Sequence, residues 1–453
     1  MNKILSENIK NKKISIIGYG ISGISATKLA LNLGAKVFIS NKGIINKNNQ
    51  FNENISFEEG KHSSKCYDCD FAIISPGINT NNAFFEKFKK NNIPIISEIE
   101  FASWFTKSTI IAITGSNGKS TTVSLLYHML KDYKKTYLGG NIGIPFSSNV
   151  LDEINNDVTD SIHILELSSF QLEHIYHFKP KIACILNLSN DHLDRYLTVE
   201  EYYNAKKNIL KNMDEHSYFI YNSTNKSLYK NDIIRKANSI SFSANNNNNG
   251  NYYLNNDFII DKNTNKKIID CSKIQLLGSH NIENILASIE ILKVLELINE
   301  KLIKSIYNFS PLQHRMEEIS TSKNITFIND SKATNPDSAI RAISCSEDDT
   351  VLILGGYSKG KINYKKIFIN HNLSNIQHIV CYGSEGEIIY KQLKNIFNCL
   401  YINNFEEAII NAIKLAKSNY RVLLSPACSS FDQFNNFEDR GNKFKTIVKQ
   451  YSA

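Results

Sequence analysis

A chain of 453 residues has the length of about three ordinary domains, each able to bury its own core. Lys and Arg exceed Asp and Glu by 8, but the basic residues are scattered through Lys- and Asn-rich stretches, which argues against a nucleic-acid face and suits small anionic substrates. The 8 cysteines lie far apart except Cys66 and Cys69, a single C-x-x-C read as incidental rather than as a metal site. Free thiols, no apolar run of bilayer length and no apolar leader core together predict a soluble, cytoplasmic protein.

The first unit opens with a strand at Lys13 to Ile17, the turn Gly18-Tyr19-Gly20-Ile21-Ser22-Gly23, a helical pattern through Leu33 and a second strand from Ala35 to Ser40. This is a βαβ start with a G-x-G-x-x-G turn, a pattern that presents a helix N-terminus to phosphate. A dinucleotide fold would place an acidic residue at the end of the second strand, and Ser40-Asn41 stands there, which disfavours NAD. A further strand, Phe71 to Ile74, runs into Ser75-Pro76-Gly77-Ile78. Taken alone, that segment is a plain Pro-Gly turn.

The second unit starts near Ser97. Thr114-Gly115-Ser116-Asn117-Gly118-Lys119-Ser120-Thr121 lies between the apolar strand Ile110 to Ile113 and the helical pattern Val123 to Leu130. Strand, glycine turn and helix together aim backbone N–H groups at an anion, with Lys119 to offset terminal phosphate charge and Ser120 to hold magnesium. Ile113 occupies the position of the first glycine of a full Walker loop, so the loop is shortened. Farther on, the strand Ile162 to Leu165 delivers Glu166, and the strand Ile182 to Leu186 delivers Asn187 and then Asp191-His192. Both polar groups belong at the sheet edge that carries the phosphate loop. Lys206 and Lys207 read as solvated helix lysines.

Asn-rich sequence between Ala244 and Asp261 cannot build a core and predicts a surface loop or hairpin tip. A helix from Asn281 to Leu297 follows, and Pro311 marks a boundary. Strands at Ile325 to Ile328, Thr350 to Leu354, His378 to Tyr382 and Val422 to Leu424 then predict a third, parallel α/β unit.

Five segments in order carry a resemblance over nearly the whole chain. They are Ser75-Pro76-Gly77-Ile78, Gly140-Asn141-Ile142-Gly143, Leu165 to Leu172, Asn329-Asp330-Ser331-Lys332-Ala333-Thr334-Asn335, and Leu424 to Phe434. With them the sequence resembles the Mur ligases, ATP-dependent enzymes that build the peptidoglycan peptide stem, and within them the branch that adds D-glutamate to UDP-N-acetylmuramoyl-L-alanine. The resemblance implies an α/β chain of three domains: a Rossmann-like UDP-sugar domain at 1–97, a central P-loop ATPase-like domain at 98–310 and a Rossmann-like amino-acid domain at 311–453. The alternative is another amino-acid or folylpolyglutamate-type amide ligase of the same superfamily, though the folylpolyglutamate type normally lacks an N-terminal domain of this kind.

The resemblance also implies roles. Gly115, Ser116, Asn117, Gly118, Lys119, Ser120 and Thr121 hold ATP, with Asn281 and Asn284 on the adenine side and Arg315 and Asp330 reaching phosphate and ribose. Ser120, Glu166, His192 and a CO2-carbamylated Lys206 hold two magnesium ions, and Lys119, His192, Lys206 and Lys332 form the catalytic set. Ile21, Ser22, Ser75, Pro76, Gly77 and Asn141 contact the UDP-sugar, while Thr334, Lys359, Ser425, Phe431 and Phe437 surround D-glutamate, with Lys361 a rival for Lys359. The family commonly carries Asp where Ser40 stands, to help hold uracil, so uridine recognition departs from the family pattern here. The expected partners are these small molecules, with no nucleic acid, no membrane insertion and a monomeric state.

Overall fold

The computed structural model describes residues 8–45, 54–228, 237–244, 250–276, 278–322, 324–358 and 360–452. It contains the strands β1 (Lys13–Ile17), β2 (Lys36–Asn41), β3 (Ile55–Glu59), β4 (Phe71–Ile74) and β5 (Ile95–Ser97), paired in parallel in the order β3-β2-β1-β4-β5. Every residue of β4 is buried, as a strand covered on both faces requires. The strand order reverses between β1 and β4, so the turns that follow those two strands flank the crevice where open α/β sheets bind ligands. Helix α1 (Ile21–Asn32) follows β1, and α2 (Ala83–Lys90), capped by the Asn82 side chain, follows β4.

A second parallel sheet has the order β11-β10-β9-β6-β8-β7, from β6 (Thr109–Thr114), β7 (Thr136–Gly140), β8 (Ile162–Glu166), β9 (Ile182–Ile185), β10 (Tyr218–Asn222) and β11 (Asn238–Phe242). Its switch point lies at β6, which the phosphate loop follows directly. Helices α3 (Glu98–Ser103), α4 (Lys119–Leu130), α5 (Phe146–Asn155) and α6 (Val199–Lys207) belong to this stretch. One buried cluster runs from Ile14 and Leu29 through Phe101 to Phe146, Leu165 and Phe219, so the packing around both sheets is continuous.

The Asn-rich region contains a hairpin of β12 (Tyr252–Asn255) and β13 (Phe258–Asp261), with β14 (Lys267–Asp270) completing a small sheet. Residues 245–249, the asparagine run itself, lie outside the described residues. Helix α7 (Ser279–Val294) follows.

The last sheet has the order β15-β16-β20-β17-β18-β19, from β15 (Glu317–Ser322), β16 (Ile325–Asn329), β17 (Thr350–Gly355), β18 (Ile376–Tyr382), β19 (Cys399–Tyr401) and β20 (Arg421–Ala427). It is not wholly parallel, because β15 pairs antiparallel with β16. β15 reads Glu-Glu-Ile-Ser-Thr-Ser, with Ile319 its one apolar residue, so it lacks the continuous apolar run that marks a buried parallel strand. Helix α8 (Pro336–Ile343) starts with Asn335 as its cap and Pro336 in its first turn, and α9 (Phe437–Ser452) closes the chain. The chain forms two compact units, one of Met1–Leu188, Glu200–Ile269 and Asn284–Ser305, the other of Ser189–Val199, Asp270–Glu283 and Ile306–Ala453. No helix among the described residues is long and apolar enough to cross a membrane.

Candidate active site

The phosphate loop is shaped by its glycines. Gly118 caps α4 with φ +86°, and a Cβ there would lie 2.4 Å from Asn284 Oδ1, so both conformation and space demand glycine. Asn187, just past β9, holds the loop from below: its Oδ1 accepts from the Asn117 backbone N–H at 2.8 Å and its Nδ2 donates to the Asn117 carbonyl at 2.9 Å. Lys119 Nζ donates to the carbonyls of Gly115 and Ser116 at 2.8 and 2.9 Å. The Thr121 hydroxyl is buried at the helix N-terminus without a hydrogen-bond partner among the described residues.

Lys206 is not a solvated lysine. It is 2% exposed, its Nζ donates to the Gly115 carbonyl at 2.9 Å, and it lies 4.9 Å from the centroid of the Tyr202 ring. Lys207 instead faces Glu200 at 3.7 Å, so Lys206 is the lysine of the pair that reaches the loop. The side-chain nitrogens of Lys119 and Lys206 thus converge on one carbonyl of the loop. Glu166 ends β8 buried, with Oε1 accepting from Asn141 Nδ2 at 2.9 Å. Ser120 hydroxyl and Glu166 carboxylate are hard oxygen donors, the chemistry magnesium takes. Asn281 and Asn284 are both buried on α7.

At the first sheet's switch point, a cavity of about 780 Å³ is lined by Gly18, Gly20, Ser75, His62 and Phe84 among others. Ser75 Oγ donates to the Gly18 carbonyl at 3.0 Å, tying the two ligand-side turns together, and a Cβ on Gly23 would lie 2.1 Å from that same carbonyl. Ile21 is 74% exposed at the start of α1, beside Ser22, and Pro76 and Gly77 continue the second turn. Ser40 is fully buried: its Oγ lies 2.7 Å from Glu58 Oε1 and 2.7 Å from His62 Nδ1. Cys66 Sγ donates to the same Glu58 oxygen at 3.4 Å, and burial pushes its thiol up to about 12, so it acts as a thiol donor.

In the second unit, His192 sits in the left-handed region with φ +56°, its backbone N–H donating to Asp191 Oδ1 at 2.8 Å. Asp191 is anchored by Asn335 Nδ2 at 3.2 Å, and His192, Thr334 and Lys361 line a cavity of about 460 Å³. Lys359 lies outside the described residues. Asp330 is buried, accepts from Ser425 Oγ at 2.9 Å and from the Met316 N–H at 3.3 Å, and burial pushes its carboxyl up to about 7 against the pull of Ser425 and Arg315. The Ser425 hydroxyl therefore serves Asp330 here. Lys332 Nζ stands 5.0 Å from the centroid of the Phe437 ring, and Phe431 is 69% exposed.

Sequence reading missed Arg440. Fully buried in α9, it donates to Ser331 Oγ and O, to Tyr382 Oη and to the carbonyls of Cys428 and Ser429, knitting the Asn329–Asn335 and Leu424–Phe434 segments into one platform. In sequence it is one more helix arginine, and no local signal sets it apart.

Family models match in chain order: the MurD N-terminal domain at residues 13–83, the Mur ligase middle domain at 113–292, and the Mur ligase glutamate ligase domain at 314–428. The chain is 38% identical to UDP-N-acetylmuramoylalanine--D-glutamate ligase of Christiangramia forsetii, covering 97% of this chain and 99% of that protein. It is 36% identical to the protein of the same name from Clostridioides difficile, covering 97% and 99%. Among solved structures, MurF ligase of Thermotoga maritima in complex with ADP aligns over 100% of both chains with TM-score 0.60 at 15% identity. UDP-N-acetylmuramate-alanine ligase of the same organism aligns over 97% and 99% with TM-score 0.59 at 18% identity, and both likenesses speak to fold alone.

Proposed function

The chain belongs to the Mur ligase family, and from that premise we propose that it joins D-glutamate to UDP-N-acetylmuramoyl-L-alanine, with ATP converted to ADP and phosphate in peptidoglycan precursor synthesis. A carboxylate resists amines because oxide is a poor leaving group. Transfer of the γ-phosphoryl group to the L-alanyl carboxylate forms an acyl phosphate; the D-glutamate nitrogen then attacks the carbonyl carbon, the C–N bond forms, the bond to phosphate breaks, and the amine loses a proton.

Lys119 neutralises charge on the transferring phosphoryl group, and the backbone N–H groups from Gly115 to Thr121 bind the remaining phosphates. Ser120 and Glu166 would hold one magnesium ion and His192 a second, and the ions would supply charge neutralisation between the anionic reactants. Addition of CO2 to the Lys206 nitrogen, with loss of two protons from the ammonium, would leave an anionic carbamate able to join those ligands. The burial of Lys206 against the Gly115 carbonyl carries this reading furthest, since a lysine without a role there would stay in solvent. Asn281, Asn284, Arg315 and Asp330 complete the nucleotide side. Thr334, Lys359, Ser425, Phe431 and Phe437 bind D-glutamate, and Lys332 works beside them. Ile21, Ser22, Ser75, Pro76, Gly77 and Asn141 hold the UDP-sugar. Domain boundaries at 97/98 and 310/311, a monomeric state and a cytoplasmic site of action complete the proposal.

The test is ADP release by the purified chain with Mg·ATP and UDP-N-acetylmuramoyl-L-alanine, comparing D-glutamate with L-glutamate, L-alanine and no amino acid. Release that requires D-glutamate is the expected result. Release with another amino acid alone would keep the ligase chemistry and remove the D-glutamate assignments.

A further inference from the structure

The cavity on the first sheet carries an aromatic wall beside its glycine turn. His62 follows β3 and Phe84 opens α2 after β4, yet their rings stack with centroids 5.0 Å apart and planes 27° from parallel, both lining the cavity above the glycine turn. Glycine turn and α1 N-terminus suit a diphosphate, which leaves the aromatic wall for a nucleobase.

The hydrogen-bond chain behind His62 fixes its tautomer. Burial works to raise the Glu58 carboxyl, but bonds from Ser63, Ser40 and Cys66 hold it down at about 2, so near neutral pH it only accepts. A serine hydroxyl has one proton. Ser40 donates it to Glu58 Oε1 at 2.7 Å, so the 2.7 Å contact with His62 Nδ1 requires that nitrogen to carry the hydrogen and donate to Ser40 Oγ. Burial and the nearby Lys42 ammonium lower the basicity of His62 against the opposing pull of Glu58, keeping the ring neutral. A neutral ring protonated at Nδ1 offers a lone pair at Nε2, and that atom has no hydrogen-bond partner among the described residues.

Resting on the UDP-sugar reading above, we propose that His62 Nε2 accepts the N3–H of uracil, and that the Glu58–Ser40 pair positions it by locking the tautomer. Uracil is recognised because its N3 is a donor. Cytosine presents a lone pair at N3 and meets lone pair with lone pair, and 3-methyluracil has no hydrogen to give.

The experiment compares binding of UDP, CDP and 3-methyl-UDP to the full chain by calorimetry, with melting curves reporting on the fold. The unaltered chain should bind UDP at least about tenfold more tightly than either analogue, the scale of one well-placed hydrogen bond. His62→Phe keeps an aromatic ring beside Phe84 but has no Nε2, and should reduce the preference for UDP over 3-methyl-UDP to about twofold or less. Retention of the full preference in a folded His62→Phe would overturn the proposal. Should that variant fail to fold, 15N NMR of histidine-labelled native chain decides: the Nε2 resonance moves with UDP and not with 3-methyl-UDP if the proposal holds, and responds alike to both if it is wrong. A native chain that binds no UDP would bring down the UDP-sugar reading, and this inference with it. UDP binding with an indifferent His62 would remove the inference alone.

Discussion

Lys119 and Lys206 show how much one residue's surroundings change its meaning. Both place Nζ on the Gly115 carbonyl, at 2.8 and 2.9 Å, but only Lys119 sits in a motif that announces a phosphate ligand. Lys119→Ala should lower the rate of ADP formation by at least about a hundredfold, the cost of removing one preorganised charge partner from a transition state, while circular dichroism stays native. A near-native rate in the coupled ADP assay would remove Lys119 from the phosphate site. Lys206 could not be told from Lys207 by local pattern, because both are polar positions at the end of one helix. Ser40 was legible only as a departure from a family pattern, since its partners Glu58 and His62 come from outside its own strand.

Elements explain why the loops keep their shape. The parallel strands β1, β4, β6, β8, β9 and β17 announced themselves as largely apolar runs, whereas β3, β5, β7, β10, β11 and β19, shorter or more polar, did not, and the turns after β1, β4 and β6 were visible because glycine and proline mark them. The antiparallel β15 was not visible, and of the small sheet β12 to β14 only a hairpin tip was, as an alternative to a loop, since polar residues dominate these strands. Arg440 belongs to this scale: from α9 it reaches the loop after β16 and the end of β20. Arg440→Lys keeps the charge and loses the planar fork, leaving buried carbonyls without donors. Urea unfolding should show a loss of about 3 kcal/mol, with a raised KM for D-glutamate as the platform loosens. An unchanged midpoint would mean that the five bonds add little beyond what water provides.

At the scale of the whole molecule, stability depends on carboxyls buried by packing. Glu98, fully buried in α3, accepts from the Ser147 N–H in the first turn of α5, and burial pushes its carboxyl up from 4.5 to about 7. Between those values the folded chain binds a proton that the unfolded chain releases, so stability falls as pH rises through the window. Glu98→Gln keeps an acceptor and removes the titration. Relative to the native chain it should therefore gain stability between pH 5 and pH 8, on the order of 3 kcal/mol at full effect. Equal pH dependence of the two melting temperatures would show that Glu98 is ionised throughout. Buried Asp330, also raised to about 7, adds its own slope to both chains and cancels in the comparison.

The sequence alone determined the three α/β domains, the phosphate loop and the likeness to the D-glutamate-adding branch, because apolar periodicity, glycine turns and contiguous motifs are local properties of the chain. The tertiary structure alone decided that Lys206 is buried at the loop, that Arg440 joins two motifs, and that Ser40 faces Glu58 and His62. Each of these joins residues far apart along the chain, and burial and hydrogen-bond polarity are set by whatever the fold brings beside a side chain.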